Sequence, residues 1–393
     1  MGGDMPWDAR ARERESEQPG RLLRVLAAPA FKTSHLNPYC NLLYVEIQKL
    51  GVRVEEFDIL RLLPGRFDIF HIHWPEYYIS QKNFIKALLG SILLLWECVW
   101  SRWLGARVVW TVHNTFSHNR THPWAERLFW RVFTRLVDGY ICLTEQGRRD
   151  LQDLHPILRR APGSVIPHGH YRDAYPHEVD RSSAREKLTL PRSAKVILFF
   201  GTIAPYKNVS RLIDVFRRIP DADVILLVAG ACPDRNEARR LREMVQEDVR
   251  IRLHIGFVPA SEIQFYFRAA DLIVLPFKEI LNSGSAHLAL SFDLPLLAPH
   301  LGSIPELQSK VGISRVRTYS GELTEKELVG SLRWATSCRG QSVVPLQDLE
   351  WSQLAVMTLE FFFSEFQRGT QGYFQNAVLS ETRKSHEEVT LKL

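Results

Sequence analysis

The chain has 393 residues, 45% hydrophobic and 24% charged, with a formal net charge of +6. Its length predicts two domains, and its composition excludes disordered, collagen-like and low-complexity classes. Five widely separated cysteines, Cys40, Cys98, Cys142, Cys232 and Cys338, exclude a zinc ribbon, a CxxC redox motif and a dense disulfide framework, and they fit a reducing cytosol.

Residues 1–20 are polar and of mixed charge, lack the apolar run of a secretion signal, and read as a disordered leader. Strand-like and helix-like segments then alternate through 21–175. Leu22–Ala28, Val52–Phe57, Phe67–His73, Arg107–Val112, Gly139–Leu143 and Ser164–Pro167 read as strands. Cys40–Leu50 reads as a helix, as does Trp124–Leu136 with Leu128, Val132 and Leu136 on one face. Ala87–Leu104 is apolar apart from Gly90, Ser91, Glu97, Ser101 and Arg102, and Lys82 and Lys86 precede it. It falls short of the roughly 18–20 clean apolar residues of a spanning helix. Two readings stay open: a buried helix, or a surface helix dipping into a bilayer with tryptophans at the interface.

Residues 176–192, with Pro176 and Pro191, read as a linker carrying a short helix. A second alternation fills 193–348. Its strands are Lys195–Phe200, Asp223–Ala229, Ile251–Ile255, Asp271–Pro276 and Leu296–Ala298. Its helices lie near Val209–Arg217, Arg235–Glu247, Ser261–Ala270, Ser283–Phe292 and Glu325–Thr336. The amphipathic segment Leu349–Phe366 is expected to return to the first domain, and 367–393 to fray. Such alternation means parallel sheets with helices on both faces, hence an α/β protein of two Rossmann-like, doubly wound domains. Ligands in such sheets sit beyond the carboxyl ends of strands, at helix N-termini.

Chemistry-bearing residues do follow strands. In Gly201-Thr202-Ile203-Ala204-Pro205-Tyr206-Lys207, a glycine allows close backbone approach and a lysine opens the next helix. That suits a diphosphate, although a plain strand-turn-helix with a surface lysine has the same pattern. Asn282-Ser283-Gly284-Ser285, two hydroxyl residues around a glycine, offers N–H groups and hydroxyls to a second phosphate oxygen or a sugar hydroxyl, or else Asn282 or Ser283 simply caps a helix. Neither a Walker loop nor GxGxxG occurs, so a nicotinamide cofactor is unsupported. His73, His113, His168 and Gly169 are candidates to touch a sugar or acceptor, against the alternative of buried structural histidines. Nothing matches HExxH or an acidic metal pair, so no metal or other cofactor is expected. The mildly basic balance favours anionic partners, and no signature supports nucleic acid.

Gly201 to Lys207, Leu294-Pro295 and Gly302-Ser303-Ile304-Pro305-Glu306 are similar to the donor half of glycosyltransferase family 4. Thr202 stands where that family usually has arginine. Ile280 and Leu288 stand where it has paired glutamates, the second of which grips the donor ribose. Asn37-Pro38-Tyr39, His71 to Tyr77, Thr111 to Asn114, His168 to Asp173, Pro205-Tyr206-Lys207 and Asn282-Ser283-Gly284 resemble, in order, glycosyltransferase family 94. The resemblance implies a GT-B fold, two domains facing each other across a cleft. It also implies inverting, metal-independent β-transfer of mannose from GDP-mannose to a polyprenyl-diphosphate-linked oligosaccharide in exopolysaccharide synthesis. The enzyme would then be cytoplasmic and peripheral on the inner face of the cell membrane, with a nucleotide sugar, the lipid-linked acceptor and the membrane surface as partners.

Sugar transfer puts negative charge on the leaving diphosphate and, for inversion, needs a base for the acceptor hydroxyl. Gly201, Thr202, Lys207, Asn282, Ser283 and Gly284 are assigned to the donor. Glu76, Asp173 and His113 are the candidates for base, and each has a structural alternative. Rival readings are a UDP-sugar transferase (glucose, glucuronate or galactose) of polysaccharide or lipopolysaccharide assembly, and a non-catalytic GT-B-like binding protein.

Overall fold

The computed structural model describes residues 22–58, 67–114, 122–338 and 343–366, so the expected leader at 1–20 and tail at 367–393 lie outside the described residues. Two six-stranded parallel sheets form two Rossmann-like units that face each other across a cleft, the GT-B arrangement. The first sheet contains β1 (Arg24–Ala28), β2 (Arg53–Glu56), β3 (Ile69–His73), β4 (Arg107–Val112), β5 (Gly139–Cys142) and β6 (Gly163–Val165). Their spatial order is β2-β1-β3-β4-β5-β6, with Val25 opposite Ile69 and Val109 opposite Gly139.

Side chains alternate along a strand, so each strand feeds two cores. Val25 and Ala27 join the core covered by helices Tyr39–Lys49 and Trp351–Phe366. Leu26 and Ala28 join the core covered by helices Phe84–Trp103 and Pro123–Leu136. His71 and His73, two apart on β3, therefore share the first face, where Tyr44 meets both.

The second sheet contains β7 (Lys195–Phe200), β8 (Val224–Gly230), β9 (Ile251–Ile255), β10 (Leu272–Val274), β11 (Leu296–Pro299) and β12 (Val316–Tyr319), in the order β12-β11-β10-β7-β8-β9. β7 and β8 are nearly continuous apolar runs, as strands buried on both faces require. Within 176–192, helix Arg181–Lys187 is tied to this sheet. Asp271 Oδ2 accepts from buried Arg185 Nη2 at 3.1 Å and from the Val196 N–H at 2.8 Å.

Both sheets have a switch point. The chain runs from β1 outward to β2, then returns across β1 to form β3. It likewise runs from β7 to β9, then returns across β7 to form β10. The carboxyl ends of β1 and β3, and of β7 and β10, are therefore where crevices open. The two chain crossings between sheets are bonded together. The His170 N–H donates to the Leu349 carbonyl at 3.2 Å, and Trp351 Nε1–H donates to the His170 carbonyl at 2.6 Å.

The apolar segment forms a 20-residue helix, Phe84–Trp103, three residues earlier than expected because the Asn83 side chain accepts from the Lys86 N–H and caps it. Ala87, Ser91, Leu94, Glu97, Cys98 and Ser101 are buried. Ile85, Leu89, Ile92, Trp96, Val99 and Trp103 are exposed. One face of the helix is thus buried, as the first reading expects, and the other is apolar and exposed. Its mean hydropathy of 1.6 and its length would suffice to cross a membrane, yet its buried face fixes it lengthwise to the first sheet.

Candidate active site between the two sheets

The loops after β7 and β10 meet at one bare stretch of backbone. Gly201 has φ +127°, a conformation side chains resist, and a Cβ on Gly230 (φ +152°) would lie 2.0 Å from the Gly201 carbonyl oxygen. A Cβ on Gly201 would lie 3.0 Å from Ser285 Oγ and 3.3 Å from Lys207 Nζ. Glycine here lets a hydroxyl and an ammonium converge on the same spot. A cavity of about 540 Å³ opens there, lined by Gly201, Thr202, Lys207, Gly284 and Ser285 on one side and Asn37 on the other. Lys207 Nζ lies 5.2 Å from the Phe277 ring centroid and has no carboxylate partner among the described residues. Burial alone pushes its pKa down to about 8.

The expected donor residues separate here. Gly201, Thr202, Lys207 and Gly284 line the cavity. Ser283 Oγ accepts from the Ala286 N–H at 3.2 Å and caps helix Gly284–Ser291. Asn282 Nδ2 donates across the cleft to the His113 carbonyl at 3.0 Å, joining the two units. Ser285, the second hydroxyl flanking Gly284, and not Ser283, holds the position facing Lys207. Its one available signal was Gly284, whose missing side chain exposes the start of that helix. Leu288 also lines the cavity, at the position where the family 4 resemblance has the ribose-gripping glutamate.

The loops after β1 and β3 frame a second cavity, of about 460 Å³, lined by Lys32, Asn37, Phe57, His73, Trp74 and Tyr77. Leu36 and Asn37 line both cavities, so the two adjoin. Glu56 shapes this loop by accepting from the Ala30 and Lys32 N–H groups at 3.2 and 2.9 Å. Trp74 has φ 51°, a strained conformation costing of order 1–3 kcal/mol. It is held by stacking on His113, with ring centroids 4.1 Å apart.

Behind this wall runs a buried hydrogen-bonded chain. Thr111 Oγ1 meets His71 Nε2 at 2.7 Å, and His71 Nδ1 meets Tyr44 Oη at 2.9 Å. Tyr44 Oη meets His73 Nε2 at 2.7 Å, and His73 Nδ1 meets His113 Nε2 at 3.0 Å. Each link holds one proton, so the chain has two senses and reverses as a unit. Desolvation holds all three imidazoles neutral, His71 down to about 3 and the others well below their ordinary value.

Glu76 lies at the carboxyl end of β3. Its Oε1 accepts from Asn114 Nδ2 at 2.7 Å, while Oε2 is buried without a partner. Burial pushes its pKa up to about 7. His168 donates through Nδ1 to the Gly169 carbonyl at 2.7 Å, leaving Nε2 facing Tyr171 Oη at 3.4 Å, and burial pushes its pKa down to about 4. It stacks on His287, at 4.4 Å between centroids. Gly169 is a packing position, because a Cβ there would lie 2.4 Å from the Trp351 ring. Asp173 is exposed, and Asp173, Glu76, His113 and His168 all lie outside the lining of both cavities, Glu76 immediately before the lining residue Tyr77. Among the described residues, no three His, Cys, Asp or Glu side chains are grouped to hold a metal.

Residues 12–172 match the family model described as Glycosyltransferase Family 4, and residues 180–302 match Glycosyl transferases group 1. The chain is 29% identical over 333 residues to the GDP-mannose:glycolipid 4-beta-D-mannosyltransferase of Xanthomonas campestris pv. campestris, covering 84% of this chain and 89% of that protein. Among solved structures, sucrose-phosphate synthase from Thermosynechococcus elongatus superposes with a TM-score of 0.59 at 14% identity, over 95% of this chain and 100% of the other. Anabaena HepE in complex with UDP superposes with a TM-score of 0.57 at 15% identity, over 93% and 100%. The chain is a glycosyltransferase of the GT-B fold, related to the family 4 and group 1 glycosyltransferases.

Proposed function

We propose that this enzyme transfers a hexosyl group from a nucleoside-diphosphate sugar to a hydroxyl of a lipid-linked oligosaccharide. The carrying observation is the half-buried Lys207 ammonium, without a carboxylate partner among the described residues, opposite Ser285 in the interdomain cavity. A diphosphate is the ligand that such a cation and hydroxyl would bind most strongly. Breaking the anomeric C–O bond leaves its electron pair on a phosphate oxygen, and Lys207 offsets that charge. Glu76, with one carboxyl oxygen buried and unpartnered and a pKa raised to about 7, accepts the proton of the attacking hydroxyl once the acceptor reaches it, and the sugar inverts. The adjoining cavity at Trp74 and Tyr77 takes the acceptor sugar, with the aromatic rings as its platform.

Two donor readings each have support. A UDP-sugar in polysaccharide or lipopolysaccharide assembly is favoured by full-length likeness to HepE, solved with UDP and with UDP-glucose. GDP-mannose with a polyprenyl-diphosphate-linked acceptor is favoured by the 29% identical mannosyltransferase. A lipid-linked acceptor calls for docking on a membrane, peripherally and on the cytoplasmic side where sugar nucleotides are found. The exposed face of helix Phe84–Trp103 supplies an apolar surface for it. Incubation with UDP- and GDP-hexoses and a glycolipid extract, followed by assay of released nucleotide, tests the reading. Nucleotide release from one donor class, dependent on the extract, is expected. No acceptor-dependent release from either class would overturn it.

A further inference from the structure

Helix Pro123–Leu136 lies beside helix Phe84–Trp103. The rings of Phe84 and Trp124 meet at 5.6 Å near one end, and Arg102 Nη1 donates to the Leu136 carbonyl at 2.9 Å near the other. The two helices therefore run side by side along the same face of the first sheet. On the second, Trp124, Leu128 and Val132 form an exposed apolar stripe at four-residue spacing, with Trp124 63% exposed. Together with Ile85, Leu89, Ile92, Trp96, Val99 and Trp103, the stripe makes a two-helix apolar face.

Arg127, Arg131 and Arg135 follow each other at the same four-residue spacing along the edge of that face, all exposed. None has a carboxylate partner among the described residues, and Arg135 Nη1 donates to the Arg131 carbonyl, leaving its other N–H groups for a ligand. They line a groove of about 490 Å³ closed on its far side by His155 and Ile157. Glu126 also lies in it, buried, and accepts from Trp130 Nε1 at 3.5 Å. The His155 Nε2 atom is buried there without a partner. Three guanidinium groups in a row, one unpaired imidazole nitrogen and an apolar flank make a site for a phosphate attached to an acyl chain.

We propose that this groove seats the phosphate of an anionic phospholipid headgroup, fixing how the two-helix face sits on the bilayer. The proposal rests on the lipid-linked acceptor reading and names a second lipid contact for it. Arginine suits this role because its planar fork grips phosphate through paired N–H donors. The apolar stripes enter the headgroup boundary while the arginines stay at phosphate depth. An acidic protein partner would meet the charge but leave Trp124 and Trp103, 63% and 72% exposed, without cover.

The test is flotation of the full chain with vesicles of phosphatidylcholine alone and with added phosphatidylglycerol. The variant Arg127→Gln/Arg131→Gln/Arg135→Gln should lose about fivefold in affinity for anionic vesicles per arginine, roughly a hundredfold in all, with little change on neutral ones. Leu128→Glu should weaken binding to both. Thermal unfolding establishes that the variants fold. Equal binding of wild type to neutral and anionic vesicles, or an unchanged triple variant, overturns the proposal. So does displacement from vesicles by inorganic phosphate beyond that caused by sodium chloride of equal ionic strength, which would mark a free-anion site. Sugar transfer to detergent-solubilised glycolipid is assayed in parallel. Transfer without arginine-dependent flotation sinks only this inference; flotation without transfer sinks only the acceptor reading.

Discussion

Replacing Lys207 with methionine should make the enzyme inactive and more stable at once. Burial lowers the Lys207 pKa from its ordinary 10.5 to about 8, which corresponds to about 3 kcal/mol spent on keeping the charge in the cleft at neutral pH. A lysine with a depressed folded pKa binds fewer protons folded than unfolded between those two values. The stability of the wild type therefore rises with pH across that window, and the penalty is complete below about 8. Lys207→Met removes it, so the variant should unfold at a higher temperature near pH 7, with the gap closing as pH approaches 10. A bound diphosphate restores the lysine's preference for its proton. Donor affinity should then fall as pH rises above about 8, by at most tenfold per unit, with proton uptake visible by calorimetry in two buffers. Donor affinity that stays flat from about pH 7 to 9, or a Lys207→Met protein no more stable than wild type, would refute the reasoning.

Other outcomes follow from the same geometry. Glu76→Gln should cost roughly 10²–10⁴ in turnover, and the wild-type rate should climb through pH 7 as Glu76 deprotonates, read from a pH–rate profile. A carboxyl raised from 4.5 to about 7 destabilises the fold progressively as pH rises across that window and fully above it, so Glu76→Gln should gain up to about 3 kcal/mol near pH 8 and nothing near pH 4. Gly201→Ala should cost about 1–3 kcal/mol in chemical denaturation and weaken donor binding, because its Cβ would crowd Ser285 and Lys207. Asp271→Ala leaves Arg185 buried without its carboxylate and should cost about 3–5 kcal/mol.

The two-sheet architecture was legible because parallel strands buried on both faces spell apolar runs such as Val196 to Phe200 and Ile225 to Ala229. Strand β12, Val-Arg-Thr-Tyr, was not, since it pairs on one side only and half of it is polar. Helix Ile304–Val311 was hidden behind Pro305, which at the start of a helix is a favourable residue rather than a breaker. At the site, the order strand end, glycine, lysine placed Gly201 and Lys207 beyond β7, but a plain strand-turn-helix with a surface lysine spells the same pattern, so only the three-dimensional arrangement brings them to one cavity. Ser283 and Ser285 were not separable. Both flank Gly284, and only the direction of the helix start decides which hydroxyl caps and which faces the cavity. The histidine chain needed pairing information, because Tyr44 and Thr111 come from a helix and a strand that one-dimensional reading does not bring together.

The donor's diphosphate is expected to lie in the cleft between Lys207 and Ser285. A crystal structure with a bound nucleoside diphosphate, UDP or GDP, tests it most directly. Phosphate oxygens within hydrogen-bond distance of Lys207 Nζ and Ser285 Oγ are the predicted result. A nucleotide bound elsewhere, or one bound here with Lys207 turned out of the cavity, would contradict it.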